Sequence, residues 1–283
     1  MKKQQLYSVL LWMWVALPAM LSAQQPHQLL IMHTSDMHSR VEPILTQSAD
    51  RHAGMGGLVR RATFVERERA AHPDLLLFDC GDISQGTPYY NFFHGEVEVE
   101  MMNLMHYDAM AIGNHEFDSG LENMARLFRM ATFPIVCANY EVAGTVLEGL
   151  VKPYTILHRR GLKIGVFGIS PQLEGLVQAS HCEGVVYHDP IAAAQKTADL
   201  LRHQEKCDVV ICLSHLGFEL GILPCDEELV QKTSGIDLVL GGHTHTFMTA
   251  PQFIPNQQGR DIPVLHSGSN GVFVGEIKLT FNR

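Results

Sequence analysis

Short apolar runs rich in β-forming residues alternate with amphipathic helical segments along most of the chain. The runs predict strands at 28–33, 74–79, 109–112, 134–138, 163–169, 209–213, 237–240, 263–266 and 272–281. Between the first two predicted strands, Leu58, Ala62 and Val65 recur at helical spacing and form one apolar face. Strands that alternate with helices indicate βαβ units, so the chain is restricted to an α/β fold with a largely parallel arrangement of strands.

The beginning of the chain differs in character from the rest. Residues 1–23 have the pattern of a cleaved secretory signal peptide, with two lysines, an apolar stretch at 10–21 and a small-residue cleavage site that ends at Ala23. The apolar stretch is shorter than the ~20 residues that span a bilayer. No cysteine follows the cleavage site, so no lipid anchor is expected. No Pro/Gly/Ser-rich linker divides the remainder, and we predict a single domain over 24–283, located in the periplasm or secreted.

Charge and cysteine content narrow the possible partners. The formal net charge is −9 and no cluster of Lys and Arg is visible, so nucleic acid is not expected as a partner, because binding a phosphate backbone requires clustered cations. An acidic protein can still bind a phosphate ester if bound metal ions supply the positive charge. A core of this size needs no disulfides, and the state of Cys182 and Cys225 stays open. Four cysteines in or beside apolar runs are expected to be buried thiols: Cys80, Cys137, Cys207 and Cys212.

Five of the predicted strands are followed closely by residues that bind divalent metal ions through oxygen or imidazole nitrogen. The five segments are HTSDMH at 33–38, DCGD at 79–82, GNHE at 113–116, SH at 214–215 and GGHTH at 241–245. Each segment alone is more often a turn or a helix cap. However, the carboxyl ends of strands in an open α/β sheet meet at one crevice, and glycines in three of the segments would let the backbone approach closely. Together the five segments indicate a metal centre.

Seven side chains in these segments are candidate metal ligands: Asp36, His38, Asp82, Asn114, His215, His243 and His245. Seven ligands are too many for one ion that must also leave positions for water and substrate. If one carboxylate bridges, two ions receive four protein ligands each, which is an arrangement suited to in-line phosphoryl displacement. Hard oxygen and imidazole ligands without cysteine favour Mn, Zn, Fe, Co or Mg. We therefore predict two divalent metal ions as cofactors.

The order Asp-x-His, Gly-Asp, Gly-Asn-His-Glu, His and Gly-His-x-His resembles the signature of calcineurin-like metallophosphoesterases. Three finer matches resemble the 5′-nucleotidase branch, which includes periplasmic UDP-sugar hydrolases: GTP at 86–88, YDAMAIGNHEFD at 107–118 and SHLG at 214–217. The resemblance runs from about Leu29 to about Phe281. It implies an α/β fold of four layers, αββα, in which two mixed β-sheets form a sandwich flanked by helices.

The resemblance also implies a role for each site residue. It assigns Asp36, His38 and His245 to one metal ion and Asn114, His215 and His243 to the other, with Asp82 bridging them and with His115 and Asp118 as the catalytic pair. In the expected mechanism, His115 places an imidazolium on the phosphoryl or leaving oxygen and Asp118 orients it. The histidine at 245 replaces an Asn or Gln that is common in nucleotidase relatives, which should change metal affinity and not the reaction. His266 is a minor candidate ligand, for which we favour a structural role.

The implied function is a di-metal phosphoesterase that hydrolyses nucleotides, in the manner of 5′-nucleotidases, or similar small phosphate esters through a metal-bridging hydroxide. Alternatives are a cyclic-nucleotide phosphodiesterase or nucleotide-sugar pyrophosphatase, or a catalytic subunit that needs a separate substrate-binding partner chain. The second, nucleoside-binding domain of family 5′-nucleotidases is not expected within 24–283, which favours such a partner. Four aromatic residues after the Asp82 segment are expected to pack in the core or to dock the partner: Tyr89, Tyr90, Phe92 and Phe93.

Overall fold

The structure is a computed structural model that describes residues 27–218 and 224–281, so the predicted signal peptide lies outside the described residues. The strands are β1 (His27–Thr34), β2 (Leu76–Asp79), β3 (Ala109–Ala111), β4 (Ile135–Val136), β5 (Tyr140–Glu141), β6 (Val151–Lys152), β7 (Tyr154–Arg159), β8 (Leu162–Ile169), β9 (Val186–Tyr187), β10 (Val209–Ser214), β11 (Leu238–Gly241), β12 (Gln252–Pro255), β13 (Asp261–His266) and β14 (Gly275–Phe281).

The helices lie between these strands. They are α1 (Leu58–Ala71), α2 (Pro88–Phe93), α3 (Glu96–Leu104), α4 (Gly120–Met130), α5 (Pro190–Asp199) and α6 (Asp226–Lys232). Two single 3₁₀ turns cover His115–Phe117 and Ala179–His181, and α5 continues into a π-helical turn over Leu200–Gln204.

Most of the strands form two mixed sheets of six strands. The first sheet has the order β14-β1-β2-β3-β4-β6, in which β14 alone runs antiparallel to its neighbour. The second has the order β12-β13-β11-β10-β8-β7, with parallel central strands and antiparallel pairing at both edges. Strands β5 and β9 form a small antiparallel pair. The predicted parallel arrangement therefore holds for the centre of each sheet.

The two sheets pack face to face, and helices cover their outer faces. Between the sheets, Ile31 and Phe78 of the first pack with Val166, Ile211 and Leu240 of the second. Helices α1, α3 and α4 bury their apolar faces on the first sheet, and α5 and α6 bury theirs on the second. Because the central strands are covered on both faces, β2 and β10 are apolar along nearly their whole length. The predicted four-layer αββα sandwich is confirmed.

The buried thiols are also where the apolar runs predict them. Cys80, Cys137, Cys207 and Cys212 are free and buried, and so is Cys225, whereas Cys182 is free and partly exposed. Over residues 27–218 and 224–281, no helix is both long and apolar enough to cross a bilayer.

Candidate metal centre

The predicted ligands follow the carboxyl ends of strands from both sheets. Asp36 and Asp82 follow strands of the first sheet, while His215 and His243 follow strands of the second. The backbone N–H of His243 donates to the Asp36 carboxylate, with an N–Oδ1 distance of 3.0 Å. The Nδ1 atom of His215 lies 2.6 Å from the carbonyl oxygen of Cys80. These bonds connect the carboxyl ends of strands from the two sheets, and they lie among six of the seven candidates, whose ligand atoms form close groups. The seventh, Asn114, directly precedes His115, whose backbone N–H donates to Asp82.

One group of candidate ligands contains Asp36, His38 and His245, whose ligand atoms all lie within 4.8 Å of one another. The Nε2 atoms of His38 and His245 face each other at 2.9 Å. The Oδ1 atom of Asp36 is 3.6 Å from Nε2 of His245. Two imidazole nitrogens and a carboxylate oxygen that converge in this way are a donor set for a divalent metal ion.

The second group contains Asp82, His215 and His243, again within 4.8 Å of one another. Nε2 of His215 is 3.0 Å from Oδ2 of Asp82. Among the described residues, the buried Oδ1 atom of Asn114 has no hydrogen-bond partner. A buried polar atom without a partner costs ~1–3 kcal/mol, and a bound cation would remove that cost. The residues therefore fit a metal ion.

Asp82 belongs to more than one group. Its carboxylate also lies within 4.8 Å of ligand atoms of His38 and His115. It is therefore close to a member of the first group as well as to His215 and His243. A carboxylate has two oxygens and can bind two cations at once, so this position suits a bridging ligand.

Five of the candidate ligands have a strained backbone. Their φ angles are positive, at 50° for Asp36, 46° for His38, 58° for Asp82, 79° for His243 and 55° for His245. Left-handed backbone costs an L-residue roughly 1–2 kcal/mol. Such strain persists only where the surrounding structure enforces it, and it is concentrated at functional sites. Its occurrence at five of the seven predicted ligands supports a functional role for the site.

Two glycines allow the backbone to approach the ligands, as the sequence predicts. A Cβ atom on Gly113 would lie 2.2 Å from Oδ1 of Asp82. A Cβ atom on Gly242 would lie 2.9 Å from Oδ2 of Asp36 and 3.0 Å from Nδ1 of His215. Any side chain at either position would displace a candidate ligand.

Burial and charge set the protonation of the candidate ligands. Burial lowers the pKa of His38 and the pKa of His243, which favours the neutral imidazole that binds metal ions. Burial opposes the charges of Asp82 and His215 too, but their mutual attraction is larger. It holds the pKa of Asp82 well below its usual range and raises the pKa of His215.

His115 and Asp118 form a hydrogen-bonded pair beside the ligands. Nδ1 of His115 is 2.8 Å from Oδ2 of Asp118, and the backbone N–H of His115 donates to Oδ1 of Asp82 over 2.8 Å. The imidazole is partly exposed and its ring centre is 5.3 Å from that of His38. Burial acts against protonation, but the hydrogen bond to Asp118 and the charge of Asp82 outweigh it and raise the pKa of His115. The geometry suits a cationic donor held at the edge of the site.

The structure identifies a residue that the sequence analysis did not single out. The buried carboxylate of Glu116 accepts hydrogen bonds from the backbone N–H groups of Asp82, Ile83 and Gly113, at 3.0, 2.8 and 2.6 Å. It therefore ties the segment of Asp82 to the segment of Asn114. Burial and the negative charge of Asp82 raise the pKa of Glu116 to about 7. The only sequence feature that points to Glu116 is its place in the GNHE segment. Its hydrogen-bond partners are brought together by the fold and cannot be read from the sequence.

Replacing Glu116 by Gln should weaken metal binding about tenfold or more, the usual effect of removing a hydrogen bond that holds metal ligands in place. An amide has one acceptor oxygen, whereas all three partners are donors. Metal content after dialysis measures the effect. Asp108→Asn is the matched control, because Asp108 accepts from Leu77 N–H at the opposite end of β2. Full metal retention in Glu116→Gln would show that Glu116 does not position the ligands.

His266 and the aromatic residues of α2 lie outside the two ligand groups. Nε2 of His266 is 2.7 Å from Oδ2 of Asp226, and both side chains are buried, in agreement with a structural role. Of the two roles expected for the α2 aromatics, packing in the core is wrong. This helix has no buried residue, and Phe92 and Phe93 are 78% and 45% exposed. No residue of α2 is among the buried apolar clusters of the described residues or the partly buried side chains packed on them.

Comparisons with known proteins agree with this arrangement. The profile of the family described as calcineurin-like phosphoesterase matches residues 29–247. The 5′-nucleotidase of Rattus norvegicus is 33% identical over 96% of this chain and 50% of its own length. The chain spans about half the length of the curated relatives it matches.

Solved structures show the same similarity. The structure of a 5′-nucleotidase precursor from Thermus thermophilus superposes with a TM-score of 0.82 and 31% identity, over 90% of this chain and 52% of that one. The structure of the NAD nucleotidase from Haemophilus influenzae superposes with a TM-score of 0.81 and 27% identity, over 91% and 54%.

Proposed function

The chain belongs to the calcineurin-like phosphoesterase family, and from this premise we propose that it is a two-metal phosphoesterase that hydrolyses nucleotides or similar small phosphate esters. The observation that carries the proposal is the pair of ligand groups with Asp82 close to both. An acidic chain needs bound cations to attract a phosphate ester, and the two groups provide the donors for them.

The proposed ligand sets are the two groups with Asn114 added to the second. One ion would be held by Asp36, His38 and His245, the other by Asn114, His215 and His243, and Asp82 would bind both. When bound, the ions supply the activation of water as nucleophile and the neutralisation of the phosphoryl oxygens. Mn, Zn, Fe, Co and Mg all suit a site built from oxygen and imidazole donors.

The proposed role of His115 is to donate a hydrogen bond or proton to a phosphoryl or leaving-group oxygen. Asp118 engages Nδ1, so Nε2 is the nitrogen that serves the substrate. The hydrogen bond also fixes the ring orientation and favours the imidazolium, which is the form that stabilises developing negative charge.

Hydrolysis of defined esters tests the proposal. The chain is stripped with a chelator, reloaded with Mn, Zn or Co in turn, and assayed on p-nitrophenyl phosphate, its bis-ester, AMP, a cyclic nucleotide and a UDP-sugar. Release of phosphate from the monoesters in a metal-dependent manner supports the assignment. Two bound ions with no hydrolysis of any ester would overturn it.

A second candidate reaction is cleavage of a nucleotide pyrophosphate. The observation in its favour is the similarity to the NAD nucleotidase structure. The same assay separates the two, since this activity would act on the UDP-sugar and on the bis-ester in preference to AMP.

We further propose that this chain acts in the periplasm or outside the cell after removal of residues 1–23, as a single catalytic domain over 24–283. Nucleoside recognition is assigned to a separate substrate-binding domain. The exposed face of α2 is the proposed docking surface for that domain, because Phe92 is exposed and Tyr90 contacts Ser119, the neighbour of Asp118, with a 2.6 Å distance between their hydroxyl oxygens.

The isolated chain should hydrolyse p-nitrophenyl phosphate but show a high KM and little base discrimination on nucleotides. Tight binding of a nucleoside requires aromatic faces and hydrogen-bond donors around the base. Steady-state kinetics on AMP, GMP and UMP measure this, with ribose 5-phosphate as the control that lacks a base. A micromolar KM with strong preference for one base would show that the chain carries its own specificity site.

A further inference from the structure

A buried carboxylate outside the ligand groups joins three parts of the second sheet. Asp226 is the first residue of α6 and its side chain is fully buried. The hydroxyl of Ser214, the last residue of β10, donates to its Oδ1 atom. Nε2 of His266, the last residue of β13, is 2.7 Å from its Oδ2 atom.

The third part is β11, which lies between β10 and β13 in the sheet. Its last residue, Gly241, packs directly on the Asp226–His266 pair. A Cβ atom at Gly241 would lie 2.3 Å from Oδ2 of Asp226 and 2.1 Å from Nε2 of His266. The backbone at the end of β11 therefore lies directly against the side chains of Asp226 and His266, and only glycine fits there.

The turn after β10 is held by the same residues. The backbone N–H of Leu216 donates to Oγ of Ser214 over 3.2 Å, and that of Asp226 donates to the carbonyl of Gly217 over 2.8 Å. His215 lies inside this turn, between Ser214 and Leu216. The residues on both sides of His215 are thus held by hydrogen bonds that involve Asp226 or its partner Ser214.

We propose that Asp226 is a positioning residue that holds His215 and His243 in place as metal ligands. Ser214 directly precedes His215, and Gly241 stands two residues before His243. The inference rests on the proposed two-metal function, and it assigns Asp226 and His266 to the support of the second ligand group. In the first group, Asp36 and His38 follow β1 of the first sheet and have no part in these bonds, while His245 follows β11.

The acceptor chemistry of the carboxylate makes the assignment testable. An ionised carboxylate only accepts hydrogen bonds, so the Ser214 hydroxyl and the His266 Nε2–H both donate. Asn at 226 keeps the size but has one acceptor, and its NH₂ group faces a donor. Loss of such support usually weakens metal binding 10–100-fold. We expect Asp226→Asn to bind one ion normally and the other 10–100-fold more weakly.

Metal titration with Mn or Zn against a competing chelator measures both affinities in the wild-type chain and in the variant. Asp237→Asn is the matched control. Asp237 accepts from Val210 N–H over 2.8 Å and pairs with Arg202 at the opposite, amino end of β10. This control should lower Tm while both metal affinities stay unchanged. Excess metal should restore p-nitrophenyl phosphate hydrolysis in Asp226→Asn, as expected where metal affinity is what the variant has lost.

The outcomes distinguish a failure of the proposed two-metal function from a failure of the positioning role of Asp226. A wild-type chain that does not bind two ions overturns the proposed function. A wild-type chain with two ions and an Asp226→Asn variant with unchanged affinities overturns the positioning role alone. If Asp226→Asn does not fold, Ser214→Ala removes one of the two bonds and should weaken the same ion, and unchanged affinities in that variant overturn the role as well.

Discussion

Replacing Asp82 by Asn should abolish turnover and reduce the metal content of the purified chain. Asp82 lies within 4.8 Å of ligand atoms of His215 and His243 and, in another grouping, of His38. Two cations a few ångströms apart repel each other, and an anionic carboxylate between them offsets that repulsion. The neutral amide of Asn offers one oxygen and no charge. Metal analysis after dialysis and phosphate release from p-nitrophenyl phosphate measure both effects.

Asp79→Asn is the matched control for this prediction. Asp79 belongs to the same DCGD segment and is equally buried, but it bonds to Thr34 and to Gly81 N–H and is in none of the ligand groups. Burial raises the pKa of Asp79 to about 8, so Asn resembles the protonated form of this carboxyl at neutral pH. The control should retain both ions. Two ions retained at near-normal rates in Asp82→Asn would show that Asp82 does not bridge.

The sequence predicts the central strands of both sheets and the edge strand β14, and it misses the other edge strands and the small β5–β9 pair. All nine predicted strands are present, with ends shifted by up to a few residues. The strands missed are β5, β6, β7, β9 and β12. Strand β7 is an edge strand that contains His158 and Arg159 and is partly exposed along its length, and β5, β6 and β9 have two residues each. Such segments lack the continuous apolar run that identifies a buried strand.

The candidate ligands could be predicted because each lies close behind a strand that is itself easy to identify. Glu116 and Asp226 could not, since their partners are backbone N–H groups, a hydroxyl and an imidazole that only the fold brings together. Asp226 follows no strand, and His266, which the sequence offers as a minor ligand, is engaged by it. A residue whose role is to hold other residues has no spacing pattern of its own. The sequence therefore predicts the donors of the site and not the contacts that orient them.

The α2 aromatics form a clear sequence pattern, but the pattern does not determine their role. The sequence places four rings together and leaves core packing and docking open, because local composition does not decide which side of a short helix is covered. The structure leaves Phe92 78% exposed. Large exposed rings beside a site are typical of an interaction surface.

Replacing His115 by Ala should leave both metal ions bound and lower kcat by on the order of 10²–10⁴, the usual contribution of a positioned acid or charge donor. Asp118→Asn should lower kcat less, because the amide oxygen can still accept from Nδ1 of His115 while the charge that favours the imidazolium is lost. Single-turnover rates on p-nitrophenyl phosphate, together with metal content, measure both variants.

Metal content decides how a loss of activity in His115→Ala is explained. A ligand atom of His115 lies within 4.8 Å of Asp82 and His38, so the side chain is near enough to be tested as a ligand in its own right. If the variant loses an ion, His115 is a ligand and not a donor to the substrate. His94→Ala is the matched control, since His94 is an exposed imidazole 3.4 Å from Ser119 Oγ and its removal should change neither kcat nor metal content. A kcat loss in His115→Ala with two ions present, and no loss in His94→Ala, places the effect at the reacting phosphoryl group, because the nucleophile-generating metals are then intact and only the donor has been removed.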